Sequence, residues 1–277
     1  MLKRIITALC ATVVLLPILW FSDTVVFPAA LGLAAAVCLF EMFRCMGLHK
    51  NLALSLPLYA AALAFPTLQR YVDYGKLVMI AFICLSLYTV YLFALVIWSK
   101  GKIPYKDAAA SCLTSVYIIT ALNMVVYIRD FGANGKYLYL LIFIGAWVTD
   151  IFAYFTGVFF GKHKLIESVS PKKTIEGSIG GTLFCALGFV VMGIVANSFG
   201  CNANFVFLAI GGVIISVISQ IGDLIMSVIK RHYGVKDYGR LFPGHGGMLD
   251  RLDSILAVSF ALSALCMFSE LVNIPLM

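Results

Sequence analysis

Charge is what this sequence has least of. Only 33 of 277 residues carry a full charge, 20 Lys or Arg and 13 Asp or Glu, whereas 62% are hydrophobic. Soluble domains carry about 25% charged residues, twice the 12% found here, so these charges cannot clothe a water-facing surface. Disorder, collagen and coiled coil are excluded too, because each needs a polar or repetitive composition. CxxC spacing is also missing. The eight cysteines lie mostly inside apolar runs, which argues against a zinc site or a disulfide framework and for small packing residues. The net charge of +7 needs no nucleic acid to explain it, since cytoplasmic loops of membrane proteins collect Lys and Arg.

What is there is a series of long apolar runs. A helix crosses a bilayer with roughly 20 apolar residues, and nine such runs are found near 5–22, 25–43, 52–68, 75–98, 108–128, 136–160, 178–199, 204–226 and 254–274. The third, with Pro57 and Pro66, is the weakest. Lys3 and Arg4 ahead of the first resemble a signal peptide, but a second run follows almost at once, which favours a retained helix. The expected fold is therefore all-α, a polytopic integral membrane protein of about nine transmembrane helices. With the N-terminus in the cytoplasm, the inner segments hold 16 of the 20 basic residues, and only Arg70, Lys76, Arg129 and Lys136 fall outside. That bias supports both the count and the orientation.

Chemistry is concentrated in two polar segments on the expected cytoplasmic side. The stretch from Ser219 to Ser254 holds four acids and five bases. Asp223, Ser227 and Lys230 are four and three residues apart and share one helix face, with Ser219 beside them. A carboxylate at membrane depth is costly and marks a wet cavity or a partner. Pro243-Gly244-His245-Gly246-Gly247 is a turn whose backbone N–H groups can approach an anion. Asp250, Arg251 and Asp253 follow, the two acids three apart. Carboxylates near bases and a glycine-rich turn suit Mg²⁺ with phosphate. The other segment runs from Asp150, Tyr154 and Gly157 on one helix face to Ser170-Pro171-Lys172-Lys173-Thr174-Ile175-Glu176-Gly177, which reads as a turn into a helix capped by Ser170 or Thr174. Two lysines beside that helix N-terminus would attract phosphate. Residues 1–135 thus form an N-terminal set of spans, and residues 136–277 a C-terminal catalytic region.

Ser227-Val-Ile-Lys230-Arg231, Lys236-Asp237 and Pro243-Gly-His245-Gly246-Gly247-Met-Leu-Asp250-Arg251-Leu-Asp253 resemble the signature of the phosphatidate cytidylyltransferase family, the CDP-diacylglycerol synthases. Gly222-Asp223-Leu224, Asp150…Tyr154…Gly157 and Ser170-Pro-Lys-Lys-Thr-Ile-Glu176-Gly177 also look like that family. The motifs cover about residues 145–255. The resemblance implies condensation of CTP with phosphatidic acid to CDP-diacylglycerol and pyrophosphate, Mg²⁺ with K⁺ as a possible second ion, a homodimer in the cell membrane, and a polar cavity open to the cytosol. It implies Asp223 and Asp250 as metal ligands, with Ser227, Lys230 and Asp253 in the catalytic set. Ser170, Lys172, Lys173, Thr174, Arg231, Lys236, His245, Gly246, Gly247, Arg251 and Asp150 are candidates for substrate binding. How Lys172, Lys173, Lys230 and Arg231 divide between triphosphate and lipid phosphate stays open, as does the choice between a phosphate contact and acid–base work for His245.

Three alternatives bear on the same residues. A CTP-dependent polyprenol kinase would need a base for its alcohol acceptor and would not carry the long signature. A CDP-alcohol phosphotransferase begins its hallmark with Asp-Gly, two residues and Ala-Arg, a run absent from this sequence. A cation-coupled transporter could use Asp150 and Asp223 as a relay, but internal repeats are not visible.

Overall fold

The computed structural model describes residues 2–167, 169–272 and 276–277, without the side chains of residues 2–6 and 8. Lys3, Arg4 and the last residues of the ninth expected span fall outside the described side chains or backbone. Nine helical segments follow the apolar runs in order. They are α1 (Leu2–Trp20), α2 (Val26–Cys45), α3 (Leu52–Tyr71), α4 (Tyr74–Trp98), α5 (Tyr105–Arg129), α6 (Gly135–Phe160), α7 (Ile175–Ser198), α8 (Phe205–His232) and α9 (Leu249–Leu271). Among the described residues, α2 to α9 are the eight helices long and apolar enough to cross a membrane; the qualifying stretch of α1 is the shorter Leu9–Trp20.

The boundaries differ from expectation where polar residues are helical. Helix α8 continues past 226 to His232, and α9 begins at Leu249 rather than 254, so Lys230, Asp250 and Asp253 all sit on helices. Helix α3 runs unbroken through Pro57 and Pro66. Asn51 caps it, its Oδ1 accepting from Leu54 N at 3.3 Å. Membrane helices tolerate such prolines because surrounding groups satisfy the freed carbonyls. Helix α6 is interrupted by a π-helical turn at Ile144–Val148, a feature often found beside functional residues.

The chain divides into two compact units. One comprises the residues up to Val126 together with Val235–Arg251; the other comprises Tyr127–Gly234 and Leu252–Met277. In the first, Gly32 of α2 lets the backbone of α3 approach, since a Cβ there would stand 3.1 Å from the Ala62 and Leu63 carbonyls. Asn123 of α5 donates to Gln69 of α3 at 2.8 Å, and Tyr88 of α4 donates to the Leu54 carbonyl at 3.1 Å. A cleft of about 900 Å³ lies among α3, α4 and α5, walled mainly by apolar side chains.

In the second unit, α6 and α7 cross on small residues. A Cβ on Gly177 would meet the Ala153 carbonyl at 2.6 Å, and one on Gly181 the Thr149 carbonyl at 2.7 Å. Close backbone approach through small residues is how membrane helices pack when apolar surface has no hydrophobic incentive to leave lipid. A buried hydroxyl chain adds α8: Thr149 donates to Ser216 at 3.0 Å, Ser216 to Thr182 at 3.2 Å, and Gln220 to Thr182 at 3.3 Å. Between α6 and α7 runs a hairpin, β1 (Lys164–Ile166) against β2 (Ser170–Thr174), antiparallel, with Lys164 opposite Thr174 and Ile166 opposite Ser170.

Candidate active site

The hairpin corrects one expectation. Ser170–Thr174 is not a turn into a helix but an edge strand, where Pro171 is tolerated because it has no N–H to leave unpaired. Thr174, not Ser170, caps α7: its Oγ1 accepts from Gly177 N at 3.1 Å. Glu176 ties the same end down, accepting from Lys162 N at 3.1 Å and His163 N at 3.2 Å, while its Oε1 meets His163 Nδ1 at 2.6 Å. Adjacent strand residues point to opposite faces. Lys172 is exposed, and Lys173 reaches Asp223 with Nζ 2.5 Å from Oδ2. The two lysines therefore do not act as a pair at the helix N-terminus; one is engaged by α8.

Asp223 is the centre of the second unit's polar group. It is hydrogen-bonded to Asp253 of α9 as well as to Lys173, and Lys230, buried two turns along α8, acts electrostatically on both carboxylates. Two carboxylates this close repel when both are ionised, so the arrangement needs a shared proton or a cation. Ser254 extends the group, its N–H donating to Asp253 at 2.8 Å and its hydroxyl to Asp150 at 3.4 Å. Asp150 is exposed on α6 yet touches α9 through this bond, in keeping with a carboxylate facing another helix. Tyr154 points away, 67% exposed, because the packed stripe of α6 is Thr149, Ala153 and Gly157. Ser227 is half-buried on the Asp223 face. Ser219 is fully buried on that face, its hydroxyl without a hydrogen-bond partner among the described residues. Arg231 is exposed.

The glycine-rich segment is organised within the first unit. Phe242 N donates to the Gly246 carbonyl at 2.9 Å and His245 N to the Phe242 carbonyl at 2.9 Å, closing a tight turn. Gly244 (φ 79°) and Gly246 (φ 87°) occupy the left-handed region that only glycine enters freely. Asp250 Oδ2 accepts from Tyr238 N at 2.8 Å and Gly247 N at 2.9 Å, so this acid shapes the turn that precedes it. His245 is half-buried, with Nδ1 lacking a hydrogen-bond partner among the described residues. Lys236 and Arg251 are exposed.

One residue absent from the sequence reading belongs with this group. Glu41 of α2 is buried at 4% exposure and accepts from Met248 N at 3.0 Å and Leu249 N at 2.8 Å. Its signal in the sequence was an acid inside an apolar span, the same signal that marks Asp223.

Among the described residues, no three or more His, Cys, Asp or Glu side chains converge into a metal cage. That does not disfavour Mg²⁺, which commonly takes one or two carboxylates and completes its shell with water and substrate phosphates. The Asp223–Asp253 pair, hard oxygen donors facing each other, fits that mode.

Residues 2–269 match the cytidylyltransferase family. The chain belongs to that family. Its curated relatives include the phosphatidate cytidylyltransferase of Staphylococcus haemolyticus, 38% identical over 264 residues that cover 92% of this chain and 95% of the relative. Those of Staphylococcus aureus and Staphylococcus epidermidis are each 37% identical over the same shares. For a cytidylyltransferase, the Asp223–Asp253–Lys173–Lys230 cluster has the expected charge balance, acids to hold a cation and ammonium groups to meet phosphates.

Proposed function

We propose that the chain is a phosphatidate cytidylyltransferase that condenses CTP with phosphatidic acid into CDP-diacylglycerol and pyrophosphate for phospholipid biosynthesis. The observation that carries this reading is the cluster of Asp223, Asp253, Lys173 and Lys230 in a chain otherwise built of apolar helices. The near full-length relatives of that name support it. A polyprenol kinase or a transporter has no such support.

The reaction needs no protein nucleophile. A phosphate oxygen of the lipid attacks the α-phosphorus of CTP, a new P–O bond forms, and the bond to the β-phosphate bridging oxygen breaks to release pyrophosphate. Catalysis is then positioning and charge neutralisation. In this reading Asp223 and Asp253 hold Mg²⁺ jointly with substrate phosphates, and Asp250 contributes a carboxylate to the same site. Bound Mg²⁺ supplies polarisation of the α-phosphate and neutralisation of the leaving pyrophosphate; a K⁺ ion is a candidate second cation. Lys173 and Lys230 hold phosphate oxygens, Ser227 and Ser219 offer hydroxyls on the same helix face, and Lys172, Arg231, Lys236 and Arg251 attract the two anions from solution. The backbone amides around Gly246 and Gly247 and the imidazole of His245 are further phosphate contacts. Nine spans with the N-terminus inside would open this site to the cytoplasm from the cell membrane, with the chain acting as a homodimer.

The test is turnover by purified protein in detergent, given CTP, phosphatidic acid and Mg²⁺, with an active relative as control. Equal amounts of pyrophosphate and CDP-diacylglycerol are expected. Absence of both products while the control turns over refutes the reading.

A further inference from the structure

We propose that Glu41 is the positioning residue that seats the glycine-rich turn and thereby sets the carboxylate of Asp250; the functional part of this proposal rests on the cytidylyltransferase reading. Two carboxylates divide four consecutive or neighbouring amides between them. Asp250 takes Tyr238 N and Gly247 N, and Glu41 takes Met248 N and Leu249 N, one with each oxygen. Glu41 thus reaches across 207 residues to cap α9, whose first N–H groups have no partner inside the helix. Its negative charge also suits the positive end of that helix.

The glycines around it are part of the seat. A Cβ on either Gly239 or Gly247 would collide with the Glu41 carboxylate, so both positions must lack a side chain for the acid to enter. Neither has a positive φ, so backbone conformation does not demand glycine at these places. A buried carboxylate is expensive unless its hydrogen bonds are satisfied. Glutamine would be a poor substitute, since its NH₂ would face an N–H donor, and aspartate is one methylene too short to serve both amides. Glu41 has no printed contact with any candidate substrate-binding side chain, so it would act through Asp250 and the turn and not on substrate.

The experiment measures steady-state kinetics of full-length Glu41→Ala, Glu41→Gln and Gly239→Ala, alone and with Glu41→Ala combined with Gly239→Ala. A displaced catalytic group costs on the order of 100-fold in rate, so Glu41→Ala is expected to lower kcat by about that factor and leave KM for CTP within about threefold. Glu41→Gln should fall between parent and Glu41→Ala. Gly239→Ala should lower kcat by about tenfold in the parent but less than about twofold once Glu41→Ala has emptied the space, the non-additivity expected of groups in contact. Parental kcat in Glu41→Ala, or an equal Gly239→Ala penalty in both backgrounds, overturns the proposal. Should Glu41→Ala fail to fold, Glu41→Gln and Gly239→Ala decide it by the same kcat-against-KM split. Hydrogen exchange separates the two levels of the argument. If the parent makes no CDP-diacylglycerol the functional reading fails, while faster exchange confined to the 238–249 amides in Glu41→Gln still supports the seat, and unchanged exchange there refutes it.

Discussion

Replacing Lys173 by Met removes the ammonium that stands 2.5 Å from Asp223 and leaves Lys230 as the remaining cation beside two touching carboxylates. Both partners of the ion pair are about a quarter exposed, so the bond lies between a surface pair, worth about 0–1 kcal/mol, and a buried one, whose disruption costs about 3–5 kcal/mol. A charge-assisted hydrogen bond in this intermediate setting is worth about 2 kcal/mol. If Lys173 transfers its bond from Asp223 to a substrate phosphate, the same loss appears in the transition state and corresponds to roughly 30-fold in kcat/KM. Lys173→Arg, which keeps the charge on a larger planar group, should recover part of it. Lys172→Met, on the exposed face of the same strand, should cost about fivefold or less, the value of an exposed contact. The assay is initial-rate pyrophosphate release in mixed micelles with CTP varied and phosphatidic acid saturating, on protein whose gel-filtration profile matches the parent. A Lys173→Met enzyme within twofold of parental kcat/KM refutes the assignment of this lysine to the reaction.

Two further outcomes are expected. Asp223→Asn and Asp250→Asn should each abolish pyrophosphate release while the protein stays in the membrane, and near-parental turnover in either removes that residue from the site. Cysteines introduced at Lys50 and Arg129 should react with a membrane-impermeant maleimide from opposite sides, cytoplasmic and external; labelling from one side breaks the nine-span topology.

Hydropathy made the helices legible because each span must hide its backbone within itself, and a run of apolar residues has little else to become at membrane depth. The Asp223–Ser227–Lys230 face was legible for a similar reason, since helical spacing alone puts those residues side by side. Partners distant in sequence were not. That Asp253 meets Asp223 depends on how α8 and α9 pack, and the bond from Glu41 to residues 248 and 249 joins a span with no motif of its own to the densest motif in the chain. The hairpin escaped because a five-residue strand with Pro171, Lys172 and Lys173 has too little alternation to distinguish it from a turn. Ser170 and Thr174 were equally good caps on paper; the start of α7 at Ile175 decides for Thr174, the residue immediately before it.

The π-helical turn at Ile144–Val148 sets a constraint on how this span can change length. It accommodates one residue more than an α-helical turn of the same rise. Deleting Ala146 would let the segment relax to regular geometry and swing everything beyond it by about 100°. Thr149, Ala153 and Gly157 would rotate off the glycines of α7, and Asp150 would leave Ser254. Insertions and deletions tolerated in the surrounding apolar sequence are therefore expected to be excluded from this one stretch, where a single residue carries the rotational phase of the helix that follows.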